Sequence, residues 1–158
     1  MHRAELFAKR LNSSLAIVFK RRPVPDVAEV TDIVGDVTGR VAVVVDDMIS
    51  TGGTLAKAAE AIKARGATRV YTVASHGIFA GDAVEVLEQS EIERVLFTNT
   101  IPFENGNRHP KFVQLSIAQI FADAINRITT NRSVSELFAG EEPPESPFSL
   151  AAEAVAAV

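Results

Sequence analysis

The sequence contains no cysteine, which excludes a disulfide scaffold, a zinc site with cysteine ligands and a thiol nucleophile. The lack of disulfides fits a reducing cytoplasm. There is no tryptophan and only one tyrosine beside nine phenylalanines, so side chains that stack on single-stranded nucleic acid are scarce. Positive charge is not in excess either: 16 basic and 20 acidic residues give a net charge of -4, which argues against general nucleic-acid binding.

Long apolar runs are also missing. No stretch approaches the 18 residues of a membrane span, and the N-terminus lacks the apolar core of a secretory signal. None of the three histidines is spaced i, i+4 from another, which argues against a metal cage made by the protein alone. What remains is a 158-residue chain with 47% apolar and 23% charged residues, the composition of one ordinary globular domain.

Apolar periodicity predicts helices that alternate with strands. Spacings of three and four residues predict helices over 4–11, from a Thr54 cap to Gly66, over 81–89 and over 117–128. Short apolar, largely β-branched runs predict strands over 15–19, 41–45, 69–74 and 92–98, and residues 20–40 are predicted to be a loop that carries a β-hairpin. This alternation predicts an α/β fold with a mainly parallel sheet flanked by helices.

The C-terminal residues have a different composition. Residues 140–147 contain three prolines and three glutamates, which predicts a solvated linker. Residues 151–158 are rich in alanine and predict a helical turn. We therefore expect one domain over residues 1–139 and a flexible tail over 140–158.

The strongest chemical signal is VAVVVDDMISTGGT at residues 41–54, a buried strand followed by two acids, a turn and a helix. Backbone N–H groups at a helix N-terminus favour an anion, and Gly52 and Gly53 allow a phosphate to approach closely. Asp46 and Asp47 can accept hydrogen bonds from ribose hydroxyls. The residues that add hydroxyl donors are Ser50, Thr51 and Thr54. This combination predicts a sugar-phosphate site; the alternative is an ordinary strand-to-helix turn with a threonine cap and solvated acids.

Residues 41–54 resemble the phosphoribosyl-diphosphate signature of type I phosphoribosyltransferases. Six further segments resemble, in the same order, the ribose-phosphate diphosphokinase (phosphoribosyl pyrophosphate synthetase) family: KRRP (20–23), IVGDV (33–37), ATRV (67–70), SHGIFAG (75–81), TNTIP (98–102) and SVSELF (133–138). The resemblance covers residues 3–139 and corresponds to the C-terminal half of that enzyme. Two positions depart from it, because the family often has aspartate where this chain has Phe19 and usually has aspartate in place of Ser50.

The resemblance implies a type I phosphoribosyltransferase-like domain that lacks its first strand and its diphosphate loop. It implies an enzyme that transfers diphosphate from Mg-ATP to C1 of ribose 5-phosphate, with Mg²⁺ brought by ATP and no metal held by this chain alone. It also implies a cytoplasmic homo-oligomer, a dimer or a hexamer. The N-terminal half of the family enzyme, which supplies much of the ATP site, has no counterpart here.

The resemblance also assigns roles to residues. Asp46 and Asp47 hold ribose hydroxyls, and the residues that cradle the 5-phosphate are Ser50, Thr51, Gly52, Gly53 and Thr54. Lys20 and Arg22 stabilise the moving diphosphate, although three successive basic residues are more often a solvated charge run. His76 lies near the ribose-phosphate and nucleotide sites, or is merely a satisfied polar group at a sheet edge.

Two serines near the end of the resemblance carry a further implication. Ser133 and Ser135 match serines of a regulatory phosphate site between subunits; the alternative is that Ser133 caps a short helix that runs to Phe138. Two other functions stay open for the whole chain. One is a phosphoribosyltransferase, which would need a diphosphate loop, and the other is a non-catalytic domain that associates with full-length synthetases.

Overall fold

Helices and strands alternate along the chain, as the periodicity predicts. The computed structural model describes residues 2–21, 30–103, 109–138 and 154–157. The helices are α1 (His2–Arg10), α2 (Gly53–Ala64), α3 (Ala83–Glu88), α4 (Ala118–Thr129) and a 3₁₀ helix (Ser135–Leu137). The strands are β1 (Ser14–Arg21), β2 (Val30–Val34), β3 (Val41–Ile49), β4 (Arg69–Gly77), β5 (Arg94–Thr98), β6 (Phe112–Leu115) and β7 (Ala154–Ala157).

The described strands form one sheet in the order β2-β1-β7-β3-β4-β5-β6. All neighbouring pairs are parallel except β1 and β2, which form an antiparallel pair at one edge. The α/β class and the mainly parallel sheet are therefore confirmed. The structure has an antiparallel pair here, but one of its strands is β1 (Ser14–Arg21), not a strand within the predicted loop over 20–40, and residues 22–29 lie outside the described residues.

The two faces of the sheet carry different helices. On one face, the apolar stripe Leu55, Ala59 and Ile62 of α2 packs on Ala42 and Val44 of β3 within the main core. On the other face, Ala4 and Ala8 of α1 pack on Val45 in a smaller cluster. Helices on both faces explain why the central strands read as continuous apolar runs rather than alternating ones.

The structure contradicts one prediction for the C-terminal segment. Ala154–Ala157 is not a helical turn but strand β7, which lies between β1 and β3. Four residues are too few to nucleate a helix, whereas a position between two parallel strands offers backbone partners on both sides. The predicted boundary at residue 139 stays a prediction, because residues 139–153 lie outside the described part.

Helix α4 confirms the predicted amphipathic helix, but its apolar side chains are not covered by other described residues. Ile120, Phe121, Ile125 and Ile128 are 53%, 59%, 59% and 63% exposed.

Among the helices that the structure describes, none has the length and apolar character needed to cross a bilayer.

Candidate functional site

The two acidic residues belong to strand β3 itself. The strand continues to Ile49, beyond the predicted end at residue 45, because β4 runs beside it and pairs Asp46 with Ala74 and Met48 with His76. The prediction of a turn over 46–53 is therefore wrong for residues 46–49. Both acids are half-buried, and Asp46 Oδ1 accepts a hydrogen bond of 2.8 Å from the backbone N–H of Asp47. This bond orients the Asp46 carboxylate at the carboxyl end of the strand.

Residues 50–53, called the glycine turn below, connect β3 to α2. Gly52 has a φ of 74°, and a Cβ at this position would lie 2.8 Å from Cγ of Leu87. Both facts require glycine here. Gly52 is also the N-cap residue of α2, and no side chain caps this end, so the prediction that Thr54 is the cap is wrong. Because the N-cap lies two residues earlier than predicted, Thr54 is in the first turn of the helix.

The glycine turn presents hydrogen-bond donors to solvent. Ser50, Thr51 and Thr54 are exposed. The N–H of Ala56 donates to the carbonyl of Gly52 at 2.9 Å and makes the first i→i−4 bond, so the N–H groups of residues 53–55 have no acceptor within the helix. Beyond its own helix and chain neighbours, a Cβ at Gly53 would meet no atom of the described residues within 4 Å, so space is open in front of its backbone. Exposed hydroxyls, a helix N-terminus and open space suit an anion such as a phosphate.

The loop after β4 holds the start of the glycine turn. The N–H groups of Ile78 and Phe79 donate to the carbonyl of Ile49 at 2.9 and 3.2 Å, and that of Ala80 donates to the carbonyl of Ser50 at 3.0 Å. These three bonds, the backbone clamp, fix the path of the chain as it leaves β3. Sequence reasoning missed the clamp, because a backbone hydrogen bond leaves no residue-type signal at either end.

Phe79 anchors the clamp in the core. Its φ of 48° is unusual for a residue other than glycine. Its ring lies 4.8 Å from the rings of Phe97 and Phe103 and 5.5 Å from that of Phe112, measured between centroids. The aromatic packing stabilises a backbone conformation that the isolated loop would disfavour.

His76 lies on β4, at the same edge of the sheet as Asp46 and the glycine turn. It pairs with Met48 of β3 on one side and forms a bridge to Asn99 after β5 on the other. Its Nδ1 atom is 2.8 Å from Oγ1 of Thr100. The side chain is half-buried, and one ring nitrogen has a polar partner, as expected for a satisfied polar group at a sheet edge. The proposed position of His76 near a nucleotide stays a prediction.

The basic segment begins at the carboxyl end of β1, which runs parallel to β7 and β3. The backbone of Lys20 pairs with Thr31, so Lys20 extends strand β1 rather than belonging to a loop. Phe19 precedes it in the same strand and pairs with Asp32. Arg22 lies outside the described residues. The role predicted for Lys20 and Arg22 stays a prediction.

One known protein family matches the part of the chain that contains this geometry. The model of the phosphoribosyl synthetase-associated domain matches residues 18–139, a range that contains β3, the glycine turn and α2. The chain belongs to this family. The resemblance found in the sequence motifs is therefore confirmed.

The relatives of this phosphoribosyl synthetase-associated domain are longer proteins. Ribose-phosphate pyrophosphokinase from Caldanaerobacter subterraneus subsp. tengcongensis is 48% identical over 136 residues, which are 86% of this chain and 43% of that protein. Ribose-phosphate pyrophosphokinase from Neisseria meningitidis serogroup A is 48% identical over 137 residues, 86% of this chain and 42% of that protein. The chain thus spans less than half the length of the curated relatives it matches.

A solved structure agrees with the fold. The crystal structure of phosphoribosylpyrophosphate synthetase from Mycobacterium smegmatis superposes with a TM-score of 0.71 at 32% identity, over 83% of this chain and 43% of that one. This likeness confirms the α/β fold with a mainly parallel sheet flanked by helices.

The structure also places the two C-terminal serines of the family domain. Ser133 and Ser135 are exposed, and the carbonyl of Ser133 accepts a hydrogen bond of 2.9 Å from Nη1 of Arg127. The N-cap residue of the following 3₁₀ helix is Val134, and no side chain caps it. The alternative that Ser133 is a helix cap is therefore wrong, while the regulatory phosphate site stays a prediction.

Asp36 and Lys111, which lie outside the glycine turn, have shifted pKa values. A backbone hydrogen bond from Thr38 lowers the pKa of Asp36. Burial lowers the pKa of Lys111, whose Nζ donates to the carbonyls of Leu87, Glu88 and Ser90 at 2.7, 2.9 and 2.9 Å. These bonds connect the start of β6 to the end of α3. Helix α3 contains Leu87, whose side chain lies next to Gly52.

Proposed function

We propose that this domain is the ribose 5-phosphate-binding part of a ribose-phosphate diphosphokinase. The enzyme would transfer diphosphate from Mg-ATP to C1 of ribose 5-phosphate and give phosphoribosyl diphosphate and AMP, for nucleotide biosynthesis. The observation that carries the proposal is the β3–glycine turn–α2 unit, in which half-buried acids, exposed hydroxyls and a helix N-terminus meet. The site lies beyond the carboxyl ends of the parallel strands, where open α/β sheets bind ligands.

Each part of the site has a task in this proposal. The residues of the glycine turn and Thr54 would bind the 5-phosphate through N–H groups, hydroxyls and the dipole of α2. Asp46 and Asp47 would accept hydrogen bonds from the two ribose hydroxyls. Lys20 and Arg22 would place positive charge over the moving diphosphate, which phosphoryl-type transfer requires.

Mg²⁺ would be brought with ATP. Among the described residues, no group of three or more His, Cys, Asp or Glu side chains is positioned to hold a metal. Mg²⁺ commonly keeps several waters and binds through one or two carboxylates plus phosphates. Asp46 and Asp47 supply such carboxylates, and bound Mg²⁺ would neutralise charge on the phosphates.

The cellular setting is proposed from the same resemblance. The domain would act in the cytoplasm as a homo-oligomer with ribose 5-phosphate and ATP as its small-molecule partners. A second function is also compatible with the described site. A non-catalytic domain that binds ribose phosphate and associates with full-length synthetases would need no more than the described site.

Calorimetry and thermal melting with ribose 5-phosphate test the proposal. A ligand at about one hundred times its dissociation constant should raise the unfolding free energy by roughly 2.7 kcal/mol. Ribose and inorganic phosphate, each offered alone, are the matched controls and should raise the melting temperature less. A folded domain whose melting temperature does not respond to millimolar ribose 5-phosphate would exclude the proposed site.

A further inference from the structure

Lys111 lies immediately before β6, and its side chain is half-buried. Its Nζ atom donates to the carbonyl oxygens of Leu87, Glu88 and Ser90 at 2.7, 2.9 and 2.9 Å. A protonated lysine has three N–H donors, so these three carbonyls account for all of them. The ammonium group is therefore held in one place, unlike the solvated end of an ordinary surface lysine.

The three carbonyls belong to the end of α3 and the residues just after it. Helix α3 has only 6 residues, and a helix of this length has little stability of its own. The last carbonyls of a helix have no N–H partner within the helix, and the helix dipole favours a positive charge beside them. The Lys111 ammonium supplies both the donors and the charge, so it determines where α3 ends.

The backbone of Lys111 is itself fixed to the sheet. Its carbonyl accepts a hydrogen bond of 2.8 Å from the N–H of Val95, and the next residue, Phe112, pairs with Val95 in β5. His109 makes a second contact with the same helix, because its Nδ1 atom lies 2.8 Å from Oε1 of Glu88. The segment 109–112 thus connects the end of α3 to a strand of the sheet.

Helix α3 brings Leu87 against the glycine turn. Leu87 is fully buried, and a Cβ added at Gly52 would lie 2.8, 3.1 and 3.2 Å from its Cγ, Cδ1 and Cδ2 atoms. Helical side chains lean toward the N-terminus of their helix, which for α3 is the end that follows the carboxyl edge of β4. The backbone of the turn therefore packs directly on a side chain whose position depends on α3.

The glycine turn is supported on two sides. The backbone clamp holds its start, and Leu87 packs against Gly52 near its end. The carbonyl of Gly52 accepts the first helical bond of α2, from the N–H of Ala56, so a displacement of Gly52 would move the start of α2. The N–H groups at this helix N-terminus are the ones that suit an anion. The second support is only as well placed as α3.

We propose that Lys111 is a positioning residue for the candidate phosphate site, and that it acts through Leu87 and Gly52. Its ammonium acts on the end of α3 and not on the ligand. Without it, the carbonyls at this end lose their donors, and the last turn of α3 no longer holds Leu87 against Gly52. The effect on ribose 5-phosphate rests on the proposed function, whereas the effect on the shape of the turn does not.

Chemical rescue isolates the ammonium group. The chain has no cysteine, so Lys111→Cys provides a single thiol. Reaction with 2-bromoethylamine restores an ammonium at the reach of lysine, and reaction with 1-bromopropane gives a neutral side chain of the same length. NMR spectra of the ligand-free chain report the amide groups of Gly52 and Gly53. We expect the propyl form to displace both resonances and the aminoethyl form to return them toward their natural positions.

Unchanged glycine resonances in a propyl form that melts cooperatively would overturn the proposal. If the propyl form does not fold, Lys111→Gln takes its place, because it keeps amide donors and removes only the charge and the third proton. Displaced resonances are again expected, and unchanged ones again overturn the proposal.

Calorimetry with ribose 5-phosphate measures the consequence for binding. We expect the propyl form to bind at least about tenfold more weakly than the natural chain, and the aminoethyl form to regain most of the affinity, because a preorganised site binds more tightly. The matched control is Val70→Ala, which removes buried methyl groups at the start of β4 and should bind normally while it remains folded. Equal affinity of the propyl and aminoethyl forms would overturn the positioning role in binding.

The two measurements separate this proposal from the proposed function. If the natural chain does not bind ribose 5-phosphate, the proposed function fails, and the glycine resonances still decide whether Lys111 shapes the turn. If the natural chain binds ribose 5-phosphate and the resonances do not move, the proposed function stands and the role of Lys111 is overturned.

Discussion

The backbone N–H of Ala80 donates a hydrogen bond of 3.0 Å to the carbonyl oxygen of Ser50. This bond joins the loop after β4 to the first residue of the glycine turn. Together with the two bonds from Ile78 and Phe79 to Ile49, it makes the geometry of the candidate phosphate site depend on a neighbouring strand. The turn is thus positioned by tertiary contacts before any ligand arrives.

Substitution of Gly77 should disturb the site from a distance. A Cβ at this position would lie 2.3 Å from the ring of Phe79 and 2.7 Å from that of Phe97. We expect Gly77→Ala to cost roughly 1–3 kcal/mol of unfolding free energy through overpacking, and to weaken ribose 5-phosphate binding by displacing the clamp. Urea unfolding and calorimetry measure the two effects; normal affinity in the variant would show that the clamp does not shape the site.

The two glycines of the turn should respond differently to alanine. At Gly53 an added Cβ meets no atom within 4 Å in the described part of the chain outside its own helix and neighbours. Gly53→Ala should therefore leave stability unchanged within about 0.5 kcal/mol while obstructing a bound phosphate. At Gly52 the φ of 74° and the contact with Leu87 should make Gly52→Ala destabilising by roughly 2 kcal/mol or more. Thermal melting with and without ribose 5-phosphate separates the two cases. Undiminished binding by Gly53→Ala would place the phosphate elsewhere.

Replacing both acids by amides should remove ligand binding and leave the fold intact. Asp46→Asn keeps an oxygen that can accept the N–H of residue 47, so the local hydrogen bond of 2.8 Å can persist. Asp46→Asn with Asp47→Asn should therefore unfold cooperatively, yet show no melting shift with ribose 5-phosphate. Circular dichroism establishes the fold, and a normal shift in this variant would mean that the ribose hydroxyls are bound by other groups.

The 158-residue chain alone should have no measurable diphosphokinase activity. Diphosphate transfer requires donor and acceptor to be held about 3–3.5 Å apart, and holding both reactants contributes roughly 7–11 kcal/mol to lowering the barrier. Each 1.36 kcal/mol is about tenfold in rate, so losing the donor surface should put turnover below detection. AMP formation from Mg-ATP and ribose 5-phosphate is the assay.

Addition of the N-terminal half of a relative is the matched control for that assay. It should restore AMP formation, in the same chain or as a separate one. Clear turnover by the isolated chain, free of host enzyme, would mean that an ATP site exists within these residues.

Much of the fold could be predicted because local patterns determine it. The stripe Leu55, Ala58, Ala59 and Ile62 predicted α2, and all four residues are buried. The run at residues 41–45 predicted a strand with helices on both sides, as found. Element ends were less predictable, since β3 continues to Ile49 only because β4 is there to pair with it.

For the candidate site as well, some features could be predicted from the sequence and others could not. The residue types in 46–54 predicted a phosphate site, because glycines, hydroxyl side chains and acids after a buried strand can each be recognised directly in the sequence. The clamp from Ile78, Phe79 and Ala80 was not predictable, since any residue except proline donates the same N–H. For the same reason, nothing in the sequence required Gly52 to meet Leu87.

The sequence by itself determined the α/β class, the positions of α2 and α4, the family and the residues of the glycine turn. Only the tertiary structure decided that Ala154–Ala157 is a strand and that it lies between β1 and β3. The physical reason is the distance along the chain over which the two kinds of interaction act. Periodicity and residue type record local preferences and the existence of an apolar face, whereas strand pairing depends on which backbone groups elsewhere in the chain still need partners. An alanine-rich segment with little preference of its own takes the conformation that those partners supply.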